Sequence, residues 1–380
     1  MKKTVLYIID DLSGIGGAEL MLIAPLKEIH DHYNIVLVTL VPDNFFLKNN
    51  HFVGDKQYCL EFNSKKDIFS AVKKLKNILK ENEVAFVHSF LYWSVLVARL
   101  ACGKKTPHIF SLATMMTEHI YKHKWYSGYT QLLDWITYKK NQAVISPTKE
   151  VLMDFDKSIG IKGESKVLYN FVLDDFFKNQ IEYDPSFKAL KLVAVGNIKE
   201  VKNYQVIIDA FQLLINYPVS LDIYGLDDLT ELQKLQIREN NLAIYLKGSH
   251  SKIFEVLPRY DAFIMSSFLE GFGISAAEAM AIGLPLLLSD INPLKEVSQG
   301  NAFFFNPYDA QSLADVLVSI MANRENLKKI SEKGKIIAKE NYSKEKYVTG
   351  LLNFYAKIPG NIPEFSKTER LVSNQLVGSQ

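Results

Sequence analysis

Ser266-Ser267-Phe268-Leu269-Glu270-Gly271-Phe272-Gly273-Ile274-Ser275-Ala276-Ala277-Glu278-Ala279-Met280-Ala281 follows the aliphatic run Ala262–Met265 and leads into an alanine-rich helical segment. Gly271 and Gly273 leave backbone amides open where the chain turns from strand to helix, and the helix N-terminus beyond them favours anionic or hydroxyl-rich ligands. Glu270 and Glu278 place a carboxylate on either side of that turn. Ser275 and Glu278 also satisfy the S-x-x-E pattern of a capping box, so Glu278 serves either a ligand or its own helix start.

Working outward, the same alternation of short aliphatic runs and longer amphipathic segments extends along most of the chain. Repeated βαβ units of this kind build a mostly parallel sheet, and the pattern occurs twice. The first half predicts strands at Val5–Ile9, Ile35–Leu40, Ala85–His88, His108–Leu112, Ala143–Ile145 and Lys166–Tyr169. Helices are expected between them at Ala18–His30, Lys66–Glu81, Ser94–Ala101, Tyr121–Lys140 and Thr148–Asp156. The second half starts again at Leu192–Val195 and continues through Ser220–Tyr224, Ile244–Leu246, Ala262–Met265, Pro285–Ser289 and Ala302–Phe305. Phe176–Lys188, polar and without periodicity, reads as the linker. The expected organisation is therefore α/β: a Rossmann-like domain over residues 1–178, a second over 189–342, a terminal helix at 343–358 and a polar tail at 359–380. Open sheets of this type bind ligands beyond the carboxyl ends of their strands, so the cleft between the halves is the expected site.

Composition narrows the function. The 380 residues, 48% of them hydrophobic, suffice for two cores. Lys plus Arg total 44 against 42 for Asp plus Glu, so no global field attracts nucleic acid, and no such partner is expected. The two cysteines, Cys59 and Cys102, lack ligand-like spacing and suit a reducing compartment. Thr4–Ile9 is too short for a signal peptide core, and Arg99 interrupts the apolar run Phe90–Cys102, so a cytoplasmic location is expected. The pairs Asp10-Asp11, Asp174-Asp175 and Asp227-Asp228 lack partner carboxylates and read as caps and loops, so no metal site is expected.

Glu-Gly-Phe-Gly, Glu-Ala-Met-Ala, Gly283-Leu284-Pro285 and Ser289-Asp290 together resemble the E-x7-E region of the retaining family 4 glycosyltransferases (glycosyl transferases group 1). That family has the GT-B fold, two doubly wound parallel-sheet Rossmann-like domains facing across a cleft. The resemblance implies that Glu270 binds donor-sugar hydroxyls and Glu278 the nucleotide ribose. It also implies that amides from Gly271, Phe272, Gly273 and Ile274 contact the sugar and distal phosphate. A carboxylate suits a vicinal diol because it accepts two bonds at once. Val195-Gly196-Asn197-Ile198-Lys199-Glu200-Val201-Lys202-Asn203 is similar to the family's V-G-R-x4-K-N segment, which clamps the diphosphate; Lys202 matches and Asn197 departs, an amide standing where the family has a guanidinium. Gly14-Ile15-Gly16-Gly17-Ala18-Glu19 resembles the G-G-A-E loop, which brings Gly16 and Gly17 to the donor phosphate. Leu246-Lys247-Gly248 matches another strand end, so Lys247, Gly248 and Ser249 through His250 are candidates for base recognition. The resemblance covers residues 4–357.

The implied activity is transfer of a hexose-type sugar, with retained anomeric configuration and no metal or other cofactor, from a UDP- or GDP-linked donor. The acceptor would be a glycan or a lipid-linked glycan of a surface polysaccharide or lipopolysaccharide. Glu270 and Lys202 are the expected catalytic pair. Two other readings stay open: a GT-B-fold nucleotide-sugar epimerase, and a non-catalytic nucleotide-sugar-binding partner of another transferase, suggested by Asn197 and by Ala113, where many relatives place a histidine. His88 and His119 are either structural or close to the cleft. Tyr121–Tyr126 and Trp135–Lys140 mix aromatic and basic residues; either the aromatics face the core while the lysines snorkel, the preferred reading, or the segment rests on an anionic bilayer as a peripheral contact.

Overall fold

The computed structural model describes residues 2–14, 16–42, 53–116, 124–186 and 188–358, with the backbone alone at 124–127. His119, Tyr121–His123 and the tail 359–380 lie outside the described residues. Among the described residues seven strands form the first sheet: β1 Thr4–Ile9, β2 Asn34–Thr39, β3 Lys56–Cys59, β4 Val84–Phe90, β5 His108–Ser111, β6 Gln142–Ser146 and β7 Ser165–Val167, ordered β3-β2-β1-β4-β5-β6-β7. Six form the second: β8 Leu190–Val195, β9 Val219–Tyr224, β10 Ile244–Gly248, β11 Ala262–Met265, β12 Leu286–Ser289 and β13 Phe303–Phe305, ordered β10-β9-β8-β11-β12-β13. All the pairings are parallel. In each sheet the order reverses beside the first strand, between β1 and β4 and between β8 and β11, and a crevice opens there at the strands' carboxyl ends.

The central strands are apolar on both faces because helices cover both, as β1 and β12 show with nearly every side chain buried. The helix Ile274–Ile282 is apolar almost all round for the same reason, packed between its sheet and the helix Glu325–Asn341. Gly334 makes that packing possible, since a Cβ there would stand 2.9 Å from Met280 Cγ.

Three details correct the sequence reading. The expected helix Ala18–His30 is two pieces, Gly17–Ile23 and Leu26–His30, because Pro25 supplies no N–H and its ring blocks a continuous turn. β3 has no apolar run: Lys56-Gln57-Tyr58-Cys59 is a partly exposed edge strand whose lysine guards the open side. The supposed linker begins in structure, for Asp174–Lys178 is helical and Phe176 is buried in the second half's core.

The chain crosses between the halves a second time at Tyr342, where the Val172 amide donates to the Tyr342 carbonyl at 2.8 Å. Ser343 caps the final helix, Lys344–Ala356, which carries Tyr347, Leu351, Phe354 and Tyr355 into the core of the first half beside Val5, Tyr7 and Phe86. Burying a side chain such as Leu351 or Phe354 contributes about 1.5–3 kcal/mol, so the last helix is integral to the domain where the chain began.

Candidate functional site

The loop after β11 is held against the loop after β8. Ser266 Oγ donates to the Lys202 carbonyl at 2.7 Å, and the Phe268 amide donates to the Val201 carbonyl at 2.9 Å. These bonds bring two candidate side chains together: Lys202 Nζ lies 2.6 Å from Glu270 Oε1, which also accepts from Ser267 Oγ at 2.7 Å. Among the described residues no donor reaches Glu270 Oε2, so one oxygen is fixed and the other is available.

Gly271 is where the halves meet. Thr148 Oγ1 donates to its carbonyl at 3.0 Å, and a Cβ at Gly271 would stand 2.1 Å from the Ala113 carbonyl oxygen. The backbones touch because neither carries bulk. The same interface is latched by Glu296, whose carboxylate accepts from the Lys149 amide at 2.9 and 3.0 Å and from Tyr169 OH at 3.0 Å. Beside the contact a cleft of about 340 Å³ opens between the halves, with Glu270, Gly271, Phe272, Gly273 and Ile274 on one wall and Gly17, Ser111, Ala113 and Asn170 on the other.

Gly273, at φ +83°, is the N-cap of the helix Ile274–Ile282 and gives its first amides no side-chain cap. Ser275 already lies inside the helix, so the capping box with Glu278 does not form; that alternative is removed. Among the described residues the Glu278 carboxyl has no hydrogen bond or ion pair. Part of its surface stays open, yet burial pushes its pKa up to about 8.

On the opposite wall Gly16 caps the helix Gly17–Ile23, and the Glu19 carboxylate folds back over it, so that a Cβ on Gly16 would lie 2.4 Å from Glu19 Oε2. Burial, with Asp11 and Asp10 nearby, raises the Glu19 pKa despite the amides that it accepts from. His88 does not line the cleft. Its ring is fully buried, Nδ1 bonded to Tyr355 OH at 2.6 Å and Nε2 to Ser111 Oγ at 2.8 Å, and burial lowers its pKa to about 3. It ties the final helix to β5 and orients Ser111 toward the cleft.

Other candidates lie apart. Asn197 is exposed and turned to the loop after β9, its Oδ1 accepting from the Leu226 amide at 3.2 Å. Lys247, Gly248 and Ser249 are exposed at the end of the edge strand β10, with Lys247 Nζ 3.2 Å from Asp222 Oδ2; none of them lines the cleft. Lys199 does line it, and Ser267 and Thr148 hold its wall. These three carry no motif signal, because their roles come from contacts made across the fold. The aromatic segment is corrected in part: Tyr138 is buried and Lys139 and Lys140 are exposed as expected, whereas Trp135 is 61% exposed, with Tyr129, Leu132 and Ile136 also exposed, so this face of Lys124–Thr137 does not turn to the core. Among the described residues no helix is long and apolar enough to cross a membrane.

Two facing parallel-sheet domains with a site at their strand ends define the GT-B class. The family model described as Glycosyltransferase Family 4 matches residues 15–176, and the one described as Glycosyl transferases group 1 matches residues 177–337. With both halves matched, the chain belongs to the family 4 glycosyltransferases. The chain is similar to the poly(glycerol-phosphate) alpha-glucosyltransferase of Bacillus subtilis, at 28% identity over 54% of this chain. It is also similar to the O-antigen chain mannosyltransferase RfbU of Salmonella typhimurium, at 29% over 50%. The matches span 31% and 54% of those two relatives, less than two thirds of either. An uncharacterized glycosyltransferase of Methanocaldococcus jannaschii is 22% identical over 90% of this chain and 95% of its own. Among solved structures, HepE of Anabaena, crystallised with UDP and glucose, superposes with a TM-score of 0.75 at 17% identity, covering 92% of this chain and 98% of its own.

Proposed function

We propose that this chain is a retaining hexosyltransferase that takes its sugar from a UDP- or GDP-linked donor in the interdomain cleft. The observation that carries this reading is the Lys202–Glu270 pair set beside Gly271 and the open start of the helix Ile274–Ile282, facing Gly17 across the cleft. Glu270, with one oxygen held by Lys202 and Ser267, presents the other to sugar hydroxyls. Glu278 takes the ribose diol, and amides from Gly271 to Ile274, with those of Gly16 and Gly17, meet the sugar and the phosphates. The bond from the anomeric carbon to the phosphate oxygen breaks through an oxocarbenium-like state. Its electron pair leaves with the diphosphate, and the acceptor oxygen bonds to the same face while its proton passes to the departing phosphate. Positive charge comes from lysine and helix ends, so the reaction uses no metal.

The activities of the relatives support a glycan or lipid-linked acceptor in surface-polymer assembly, and HepE's ligands support a nucleotide sugar. The exposed face with Trp135 would rest on the cytoplasmic surface of an anionic bilayer, where Lys139 and Lys140 flank it and Lys162 Nζ sits 5.7 Å from the Trp135 ring.

The test is a panel of UDP-, GDP- and ADP-sugars scored by nucleotide release, with and without EDTA. Turnover should survive the chelator. Glu270→Gln should lower it on the order of 10²–10³-fold while the protein stays folded. Unchanged turnover in that variant sinks the site assignment. An epimerised donor formed without acceptor would favour the epimerase, and nucleotide binding without donor consumption would favour a non-catalytic partner.

A further inference from the structure

The geometry points to Lys199 as the cation that meets the departing diphosphate, an inference that rests on the donor reading above. A diphosphate leaving group accumulates charge as the bond to the anomeric carbon breaks, and it needs positive charge that another group has not already taken. Lys202 is committed at 2.6 Å to Glu270, and it lines a separate small pocket between β8 and β11 rather than the main cleft. An incoming phosphate meets that pair as nearly neutral. Asn197 carries no charge and spends its oxygen on the Leu226 amide.

Lys199 differs on each count. Among the described residues it and Glu270 are the charged side chains that line the main cleft, and its ammonium has no hydrogen bond or ion pair there. Its backbone is held in place: the Lys199 carbonyl accepts from the Lys202 amide at 2.8 Å, and the preceding Ile198 is buried with its amide bonded to the Leu226 carbonyl at 3.1 Å. A fixed anchor with a flexible four-carbon stem lets the ammonium follow the phosphate as charge develops. Its place in the loop, two residues from Asn197, puts a mobile charge where a planar one is missing.

The experiment compares wild type, Lys199→Ala and Lys199→Arg for turnover of UDP-glucose and GDP-mannose, and for calorimetric binding of UDP and GDP against UMP and GMP. Lys199→Ala should lose turnover on the order of 10²-fold and most of its preference for diphosphate over monophosphate. Lys199→Arg should keep both within about tenfold, since the charge remains. Melting temperatures should agree, because the residue is exposed. A Lys199→Ala protein that matches an active wild type in turnover and diphosphate preference overturns the inference alone. A wild type that binds no nucleoside diphosphate overturns the donor reading and the inference together.

Discussion

Glu278 stands in the second turn of its helix with no donor among the described residues reaching its carboxyl, and burial holds its pKa near 8. The unfolded chain releases this proton near the ordinary carboxylate value while the folded one retains it to about 8, so the unfolded state binds fewer protons between those limits. The group's contribution to stability is therefore present at acid pH and lost as pH rises through that window. Glu278→Gln should melt several degrees higher than wild type at pH 8 and no higher at pH 4. Donor binding should respond in the opposite sense, because only the ionised carboxylate accepts two bonds from a diol. Affinity for UDP in calorimetry should rise from pH 6 to pH 8.5 in wild type and stay flat in Glu278→Gln; a flat wild-type profile would remove Glu278 from the ribose site. At this scale Glu270, Gly271 and Gly273 were legible because turn, glycine and carboxylate stand together in one segment. Lys199 and Ser267 were not, since their positions depend on how two loops dock.

The helix Lys124–Thr137 shows what periodicity leaves open. An amphipathic pattern says that one face is apolar and does not say what covers it. Here Tyr138, just beyond the helix, is buried against Phe110 and Phe155, while Trp135, Leu132 and Ile136 face outward. Trp135→Ser should leave the melting temperature nearly unchanged, as exposed sites usually shift stability by within about 0.5 kcal/mol. The same change should cut sedimentation with vesicles containing phosphatidylglycerol several-fold. Equal sedimentation by both proteins would show that this face does not meet a bilayer. The divided helix at Pro25 and the edge strand Lys56–Cys59 lie at the same level: the proline break is written in the chain, whereas a polar strand becomes a strand only because β2 offers it a ladder.

Across the whole molecule, the contact of Gly271 with Ala113 fixes how far the halves approach. Gly271→Ala would set a methyl 2.1 Å from a backbone oxygen, where no flexible side chain can yield, so the halves must part. Turnover should fall on the order of 10²-fold, since small displacements of reacting groups cost that much, and the radius of gyration from small-angle scattering should rise. Binding of UDP should fall less than turnover, because the proposed ribose contact at Glu278 lies in the second half and only the Gly16 and Gly17 amides reach the phosphates from the first. A variant that scatters and turns over like wild type would mean that this contact does not govern the active geometry.

Local chemistry determined most of the elements and the cleft-lining loop: aliphatic runs, turn glycines and the spacing from Glu270 to Glu278 act within a few residues of one another, where sequence and structure correspond directly. The tertiary structure alone decided that Lys202 is paired, that Asn197 turns aside while Lys199 faces the cleft, that His88 is a buried tie to Tyr355, and that Trp135 looks outward. Each of these depends on residues far apart in the chain, and burial, charge pairing and side-chain direction are properties of the packed whole.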